Sequence, residues 1–336
     1  MTNLDKTASE VLSLGFKGLS IAFYNGDNLL KWTYGKEITP DNLFEIGSLT
    51  KPFTSLLILK LASAGLINLD KFIGSYFSEL KDNWIGQKTV KELLLHISGL
   101  PKNPPLAAAG ITIDRRHFKL KEFLQTMNLL QEPMEEPTYN YSNVGYGILG
   151  HLASRIKDQK IPSLMRQEIF EPFNISNGAM HSSPKTKLCT SYQDGRAHTP
   201  TIWHEDAFLL SGGGMVATPL DLVTFVKRYI FTDNSLSSLI KDWTTDRLKV
   251  DKQTEASLGW KYDTQSSCYW HDGITPSFRA FIGFNTNNKT ALCMISNSWI
   301  PEEKDRHNPG PIDQIGLKAL TSITPENDSP GAHHQL

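Results

Sequence analysis

The alternation of hydrophobic and polar positions at the start of the chain predicts a helix followed by a hairpin. Residues 3–15 alternate at helical spacing and run into glycines that end such a pattern. Two short β-prone runs follow, at 19–23 and 29–34. The Asn-Gly-Asp-Asn segment between them, 25–28, is a strong hairpin signal. We therefore expect one helix and then two antiparallel strands.

The most apolar stretch of the chain covers residues 48–64. Its apolar residues leave little polar face, which predicts a central buried helix that ends at Gly65. From about 90 to 175 the strand signals vanish, and helical patterns alternate with loops rich in proline and glycine. This part of the chain is expected to form a separate helical lobe.

Strand signals return late in the sequence, at 267–270, 278–284 and 291–297. A terminal helix is expected over 311–323. Strands at both ends imply one sheet assembled from both termini. The predicted fold class is therefore α+β, an antiparallel sheet flanked by helices, with a mostly helical lobe inserted between its two halves.

The expected division into domains follows from this arrangement. Residues 1–80 and 210–323 would form a discontinuous α/β sheet domain, and residues 81–209 the inserted lobe. A disordered polar tail is expected over 324–336. The length of 336 residues supports two lobes, because single cores stop growing at about 250 to 300 residues.

Composition and charge exclude several classes of protein. With 39% hydrophobic and 10% aromatic residues, the bulk of the chain is not low-complexity disorder. The net charge of -1 lacks the basic footprint of a nucleic-acid binder. No apolar run reaches the roughly 18 residues of a membrane span. Cys189, Cys268 and Cys293 have no zinc or disulfide spacing and are expected to be reduced and mostly buried.

The acidic start of the chain lacks the basic and then apolar pattern of a signal peptide. On this ground we expect a cytoplasmic protein. We also expect no cofactor and no metal. The oligomeric state is left open by the sequence.

The sharpest candidate for chemistry is the segment around Ser48, with Lys51 three residues later. An i, i+3 pair on a helix shares one face, so the amine can reach the hydroxyl. Pro52 is tolerated only in a first helical turn, which places the helix start near Ser48. Burial disfavours the charged form of a lysine, so Lys51 is a candidate base for Ser48. The alternative is an ordinary N-cap serine and a surface lysine.

Two further motifs decide between these interpretations. Ser48-Leu-Thr-Lys51, Tyr141-Ser142-Asn143 and His271-Asp272-Gly273 occur in the order and approximate separations of the three motifs of penicillin-recognising serine hydrolases. The chain resembles the class C β-lactamases, D,D-peptidases and related esterases of that superfamily. The resemblance covers roughly residues 18–298.

The resemblance implies a role for each matching position. Ser48 would be the nucleophile that forms an acyl-enzyme, and Lys51 its proton partner. Tyr141 would shuttle the proton to the leaving group, with its pKa lowered by the nearby ammonium of Lys51. Asn143 would bind Lys51 and the substrate carbonyl.

The third motif would lie on an edge strand. There the backbone N–H of Ile274 would complete an oxyanion hole with that of Ser48, and Gly273 would allow close approach of the substrate. His271 stands where many β-lactamases have lysine, and a neutral imidazole attracts a β-lactam carboxylate less than an ammonium does. Arg279 either holds a substrate carboxylate or is a solvated strand arginine.

Other patterns in the sequence give weaker signals. The G-x-G-x-x-G pattern at 145–150 follows no strand, so close helix packing is the better interpretation. His204-Glu205-Asp206 lacks the second histidine of a metal motif. His96 is expected to be structural. Pocket-shaping residues are expected among Tyr192, Trp203, His204 and Phe208.

The function predicted from the sequence is a metal-independent serine hydrolase. Its substrate would be a small ester, thioester or peptide, cleaved as by a carboxylesterase or a D-amino-acid peptidase or amidase. One alternative is an acyltransferase or cyclising thioesterase that uses the same acyl-enzyme. A β-lactamase and a catalytically silent binding module are the remaining alternatives.

Overall fold

The computed structural model describes residues 3–35, 37–133, 138–180, 188–193, 195–198, 202–232, 247–298 and 309–322. The predicted tail, 324–336, lies outside these residues. None of the helices in the described ranges combines the length and apolar character needed to cross a bilayer.

Within the described residues, the helices α1 to α9 occur from Asn3 to Ser322. Both helices predicted near its start are present, and α2 continues directly from a 3₁₀ turn at Gly47–Leu49. The bounds are α1 Asn3–Ser13, α2 Thr50–Ser63, α3 Val90–Leu94, α4 Leu120–Thr126, α5 Asn143–Lys157, α6 Ile161–Met165, α7 Leu210–Gly213, α8 Pro219–Val226 and α9 Pro311–Ser322.

Within the described residues, the strands β1 to β13 lie before residue 46 and after residue 178. No strand occurs among the described residues between 90 and 175, as the sequence predicts. The bounds are β1 Leu19–Tyr24, β2 Leu29–Tyr34, β3 Phe44–Glu45, β4 Ala179–Met180, β5 Ser191–Gln193, β6 Arg196–His198, β7 Met215–Ala217, β8 Leu248–Lys249, β9 Thr254–Ala256, β10 Lys261–Asp263, β11 Cys268–Ile274, β12 Arg279–Asn285 and β13 Thr290–Ser296.

The main sheet has eight antiparallel strands in the order β2-β1-β13-β12-β11-β10-β9-β8. The pairing of β1 with β13, from Leu19↔Ser296 to Tyr24↔Ala291, joins the start of the fold to its end. A sheet built from both ends of the chain, as predicted, is therefore confirmed. The division into domains stays a prediction.

Helices cover both faces of this sheet because strand side chains alternate between the faces. On β1, Leu19, Ile21 and Phe23 pack in a core with α1 and α9. Ala22 and Tyr24 belong to the larger core on the other face, which includes α2, α5 and α8. The buried helix α2 thus lies beneath the sheet, and its first turn faces β11.

Close contact between the start of α2 and β11 depends on two glycines. A Cβ on Gly273 would stand 2.0 Å from the carbonyl oxygen of Ile46, and a Cβ on Gly47 would stand 2.9 Å from that of Ile274. Gly47 also has φ of +53°, in the region that favours glycine. These glycines let the two backbones meet where the chemistry is expected.

The third motif lies on an interior strand of the sheet rather than on an edge strand, so this expectation is wrong. β11 pairs with β12 along Tyr269–Ile274 and with β10 along Cys268–Trp270. Because β10 is only three residues long, it leaves the second half of β11 free on the side that approaches α2. The second half of β11 therefore has one unpaired side, as an edge strand does.

The three cysteines are free and buried, as predicted. The glycines of the G-x-G-x-x-G pattern lie inside α5, where Gly147 packs against Phe208 and Gly150 against Ser211. They serve helix packing, which is the interpretation favoured by the sequence.

Candidate active site

Ser48 lies in the 3₁₀ turn that leads into α2 and is partly exposed. Pro52 occupies the first turn of α2, where no helical N–H is needed. Lys51 is on the same side as Ser48, and its side chain is fully buried. The predicted proximity of the serine and the lysine is present, with Nζ 3.2 Å from Ser48 Oγ.

Two other acceptors hold the Lys51 amine. Nζ donates to Asn143 Oδ1 at 2.7 Å and to the carbonyl oxygen of Gly212 at 2.6 Å. Desolvation lowers the pKa of Lys51 well below its ordinary value, against a smaller opposing effect of Asp272. A neutral amine has two N–H groups and one lone pair. With its two N–H groups directed to Asn143 and Gly212, its lone pair is available to the Ser48 hydroxyl.

Tyr141 completes this cluster. Tyr141 lies beside Ser48, which affects the pKa of its phenol, and Lys51 Nζ lies 4.8 Å from the centroid of its ring. Side chains from two distant parts of the sequence therefore meet at the start of α2.

The expected lowering of the Tyr141 pKa is wrong. Desolvation raises the pKa of Tyr141 well above 10, the nearby carboxylate of Asp272 raises it further, and the opposing effect of Ser48 is smaller. The expectation required an ammonium on Lys51, whereas burial favours the neutral amine. The direction of the shift favours the neutral phenol of Tyr141, which can donate a proton.

His96 holds the loop that carries Tyr141. Its carbonyl oxygen accepts the N–H of Asn140 at 2.7 Å, and its Nδ1 accepts the N–H of Ser142 at 3.0 Å. The proton of the neutral ring is therefore on Nε2. Burial lowers the pKa of His96 well below its ordinary value and maintains this form. The sequence predicted a structural role, and these contacts fix both neighbours of Tyr141.

The third motif contributes a strand beside the nucleophile. Ile274 lines the same cleft as Ser48, and its backbone packs against Gly47. His271 is buried, its ring centroid 6.4 Å from that of Tyr141, and its Nδ1 lies 2.7 Å from the carbonyl oxygen of Asp272. Burial lowers the pKa of His271 to about 3, so the imidazole is neutral, as expected.

A buried charge network lies behind this strand. Asp272 accepts from Lys261 Nζ at 2.6 Å and lies 3.7 Å from Arg279. Arg279 donates through Nη2 to Asp313 at 2.6 Å. The cations lower the pKa of Asp272 despite its burial, whereas burial raises the pKa of Asp313.

The position of Arg279 corrects both expectations for it. Only 2% of the residue is exposed, so it is not a solvated strand arginine. Its guanidinium holds Asp313 of α9 instead of being directed to a substrate. The carboxylate that it binds belongs to the chain itself, because α9 packs over β12 at this point.

The cleft above Ser48 is lined by residues from both ends of the chain and from the segment between them. Of the four predicted pocket residues, Trp203 is a lining residue. Phe208 packs against Phe123 in the core, with ring centroids 4.2 Å apart. The lining comprises Glu45, Gly47, Ser48, Asn103, Arg115, Arg116, Asn143, Trp203, Leu209, Gly212, Gly213, Ile274, Thr275 and Pro276.

Several of these residues carried no signal in the sequence. The carbonyl of Gly212 binds Lys51 through a backbone atom, which no side-chain motif reveals. Asn103 accepts from Asn143 Nδ2 at 3.0 Å and thereby orients the amide that binds Lys51. Arg116 lies in a loop without periodic pattern. Only folding brings these groups to the serine.

The side chains of His204-Glu205-Asp206 make contacts that do not involve a metal. Glu205 forms an ion pair with Lys160, and His204 Nδ1 lies 3.9 Å from Asp206. No group of three or more histidine, cysteine or acidic side chains in the described ranges is arranged to hold a metal ion.

Comparison with known proteins places this geometry in context. The family model described as Beta-lactamase matches residues 4–317. The chain is similar to Protein flp of Staphylococcus aureus strain N315, with 24% identity over 95% of this chain and 68% of that protein. It is also similar to a putative D-alanyl-D-alanine carboxypeptidase of Escherichia coli O157:H7, with 22% identity over 96% of this chain and 88% of that protein.

Solved structures share the fold. A β-lactamase/D-alanine carboxypeptidase from Pseudomonas syringae superposes with a TM-score of 0.79 and 19% identity, over 96% of this chain and 99% of that chain. A class C β-lactamase superposes with a TM-score of 0.78 and 16% identity, over 96% of each chain. At these identities the likeness establishes the fold alone, and the predicted α+β architecture is confirmed.

Proposed function

This chain belongs to the β-lactamase family of penicillin-recognising serine hydrolases, and from that premise we propose that it forms an acyl-enzyme at Ser48 and cleaves an ester or amide. The observation that carries the proposal is the meeting of Ser48 with a buried amine and a buried phenol. Lys51 Nζ is 3.2 Å from Ser48 Oγ and 4.8 Å from the centroid of the Tyr141 ring.

In the first step, Ser48 Oγ forms a bond to the carbonyl carbon of the substrate. The proton of Oγ moves to the lone pair of Lys51, and the carbonyl electron pair moves to oxygen. Asn143 and Gly212 hold the amine in place, so little reorganisation is needed. The backbone N–H groups of Ser48 and Ile274 are proposed to stabilise the oxyanion.

In the second step, the tetrahedral intermediate collapses and the bond to the leaving group breaks. The leaving oxygen or nitrogen takes a proton from Tyr141, whose raised pKa keeps it protonated until then. The ammonium of Lys51 then returns a proton to Tyr141. Attack of water on the acyl carbon reverses these transfers and releases Ser48.

The proposed substrate class is a small carboxylester, or a peptide or amide that contains a D-residue. A relative named as a putative D-alanyl-D-alanine carboxypeptidase supports the peptide arm. The neutral imidazole of His271 supplies no fixed charge for a β-lactam carboxylate, so we expect β-lactams to be poor substrates.

The proposal is tested by intact-mass spectrometry of the full chain after exposure to a fluorophosphonate and to a panel of esters, thioesters, D-peptides and β-lactams. The wild type is expected to gain the mass of the acyl or phosphonyl group, and Ser48→Ala to gain none. Ser277→Ala is the matched control, because Ser277 is a buried serine near the cleft whose Oγ has no hydrogen-bond partner. Labelling of Ser48→Ala would reject the proposal.

The same panel separates the alternatives. An acyl group that leaves faster with an added amine or alcohol than with water indicates an acyltransferase. A wild type that no probe labels indicates a catalytically silent binding module, and the proposal is then wrong.

A further inference from the structure

The cleft above Ser48 contains a buried guanidinium that the proposed reaction does not use. Arg116 lines this cleft, and only 7% of the residue is exposed. Its backbone is fixed at both ends of the residue: its N–H donates to Asp114 at 2.8 Å, and its carbonyl accepts from the N–H of His204 at 2.9 Å. The side chain is thus held beside the nucleophile.

Part of the Arg116 guanidinium is unsatisfied. Its Nε is buried without a hydrogen-bond partner. Within the ranges that the structure describes, no carboxylate forms an ion pair with it. Arg279, the other deeply buried arginine, is by contrast paired with Asp313.

An arginine stays charged in proteins, and a buried charge without a partner is strongly unfavourable. Such groups are found where a ligand supplies the missing charge. Because Arg116 shares its cleft with Ser48, the ligand that reaches it is the one whose carbonyl reaches the serine.

The other ionisable groups around the cleft leave a positive balance. Burial lowers the pKa of Lys51, and it lowers that of His271 to about 3, so the neutral form of each is favoured. Glu45 and Arg115 also line the cleft, and each already has a contact of its own. Among the described residues that line the cleft, one carboxyl group thus stands against two guanidinium groups, which favours a negatively charged substrate.

We infer that Arg116 binds a carboxylate of the substrate, so that the preferred substrate is an ester or amide that carries a negative charge near its scissile carbonyl. This inference rests on the proposed function. The guanidinium fork matches a carboxylate in two parallel hydrogen bonds, and this geometry gives orientation as well as affinity.

The test compares pairs of esters that differ by one carboxylate group. In the first pair, the 4-nitrophenyl monoester of adipic acid carries the charge on the acyl side, and 4-nitrophenyl hexanoate is its neutral counterpart. In the second pair, the 4-carboxyphenyl ester of hexanoic acid carries the charge on the leaving group, and the phenyl ester is its neutral counterpart. We expect kcat/KM to favour one charged ester by about 10- to 100-fold, the range of a charge-assisted hydrogen bond.

The preference is expected to depend on Arg116. In Arg116→Met the charged-to-neutral ratio of kcat/KM should fall by about the same 10- to 100-fold, and Arg116→Lys should restore part of it. Arg166→Met is the control, since Arg166 is an exposed arginine that lines a different cavity; its ratio should equal that of the wild type.

Binding is measured separately from turnover. Saturation-transfer NMR should show that monomethyl adipate binds to the wild type and to Ser48→Ala. Dimethyl adipate, which has no charge, should bind more weakly. Arg116→Met should abolish the binding of monomethyl adipate. Binding without turnover of any ester would retain the inference and reject the proposed hydrolase. Turnover of neutral esters with no preference for either charged ester, and no selective binding, would overturn the inference and retain the hydrolase.

Discussion

At the scale of single residues, the proposed activation of Ser48 depends on the buried amine of Lys51. Asn143 and Gly212 each accept one N–H, and the third hydrogen-bond contact of Nζ is with Ser48. Removing a lysine from water disfavours its charged form. In the proposed reaction, burial makes Lys51 a base and the two acceptors orient it.

Replacement of Lys51 by arginine tests this role, because arginine retains donors and a positive charge but does not lose its proton. We expect Lys51→Arg to lower the rate constant for acylation by about 10²- to 10⁴-fold. The wild-type rate should fall as the pH drops below the lowered pKa of Lys51. Acylation is followed by time-resolved intact mass.

Lys102→Arg is the matched control for this substitution. Lys102 Nζ lies 5.9 Å from the Tyr141 ring centroid, so the variant changes a nearby lysine in the same way. It should acylate as fast as the wild type. An acylation rate in Lys51→Arg within about tenfold of the wild type would exclude Lys51 as the base.

At the scale of elements, the site is the junction of a helix start and a strand. The 3₁₀ turn that leads into α2 carries Ser48, and β11 carries Ile274. Gly47 and Gly273 allow these backbones to touch. The distance between nucleophile and predicted oxyanion donor is thus set by the absence of two side chains.

A pair of glycine variants separates this contact from backbone strain. Gly47 and Gly65 both have positive φ, +53° and +72°, but only a Cβ on Gly47 would meet the backbone of Ile274; a Cβ on Gly65 would stand in open space. Gly65→Ala should lower the free energy of unfolding by about 1–2 kcal/mol and leave kcat unchanged. Gly47→Ala should lower stability further and also lower the acylation rate.

Chemical denaturation and acylation kinetics measure the two effects. Equal stability losses in the two variants, with acylation unaffected in both, would mean that the contact between Gly47 and β11 does not position the site.

The elements also show how much of the fold the sequence predicts. The periodicity predicted α1, α2, α9 and the β1–β2 hairpin, because each has a regular pattern and a clear end. It predicted only the first half of β11, since His271-Asp272-Gly273 has no alternation. β8, β9 and β10 are two or three residues long and are too short to show a period.

The site was predictable where one helix turn or one spaced motif suffices. Ser48 and Lys51 follow from helical spacing, and Tyr141 and Asn143 from the resemblance. The partner of Arg279 was not predictable, because Asp313 lies on α9 and only tertiary packing joins them. The direction of the Tyr141 pKa shift depends first on the burial of its ring and then on the Asp272 carboxylate of β11, and the motif around Tyr141 shows neither.

At the scale of the whole molecule, burial of neutral histidines makes stability depend on pH. Burial lowers the pKa of His96 and of His271 below the value of about 6.5 in an unfolded chain. Below pH 6.5 the unfolded state therefore takes up protons that the folded state does not. Stability is highest above that pH and decreases as the pH falls toward the folded pKa values.

The variant His96→Asn tests this dependence. Asparagine tolerates the φ of 59° at this position and offers an oxygen acceptor to Ser142, but it does not titrate. Between pH 7.5 and 5, the wild type should lose about 2 kcal/mol more unfolding free energy than the variant. Urea denaturation at several pH values measures it.

His117→Gln removes an exposed histidine and is the control, expected to follow the wild type at every pH. If the unfolding free energies of His96→Asn and the wild type change equally with pH, His96 takes up its proton equally in the folded and unfolded states.

The pairing of β1 with β13 has a consequence for the order of assembly. As the ribosome releases the chain, β1 emerges with all six residues destined for burial, long before its partner β13. Until β13 is made, the β1–β2 hairpin has one unpaired hydrogen-bonding edge, a state open to unwanted association. Ser48 follows this hairpin, so the nascent polypeptide contains the proposed nucleophile long before β11, the strand that carries Ile274 of its cleft, is made.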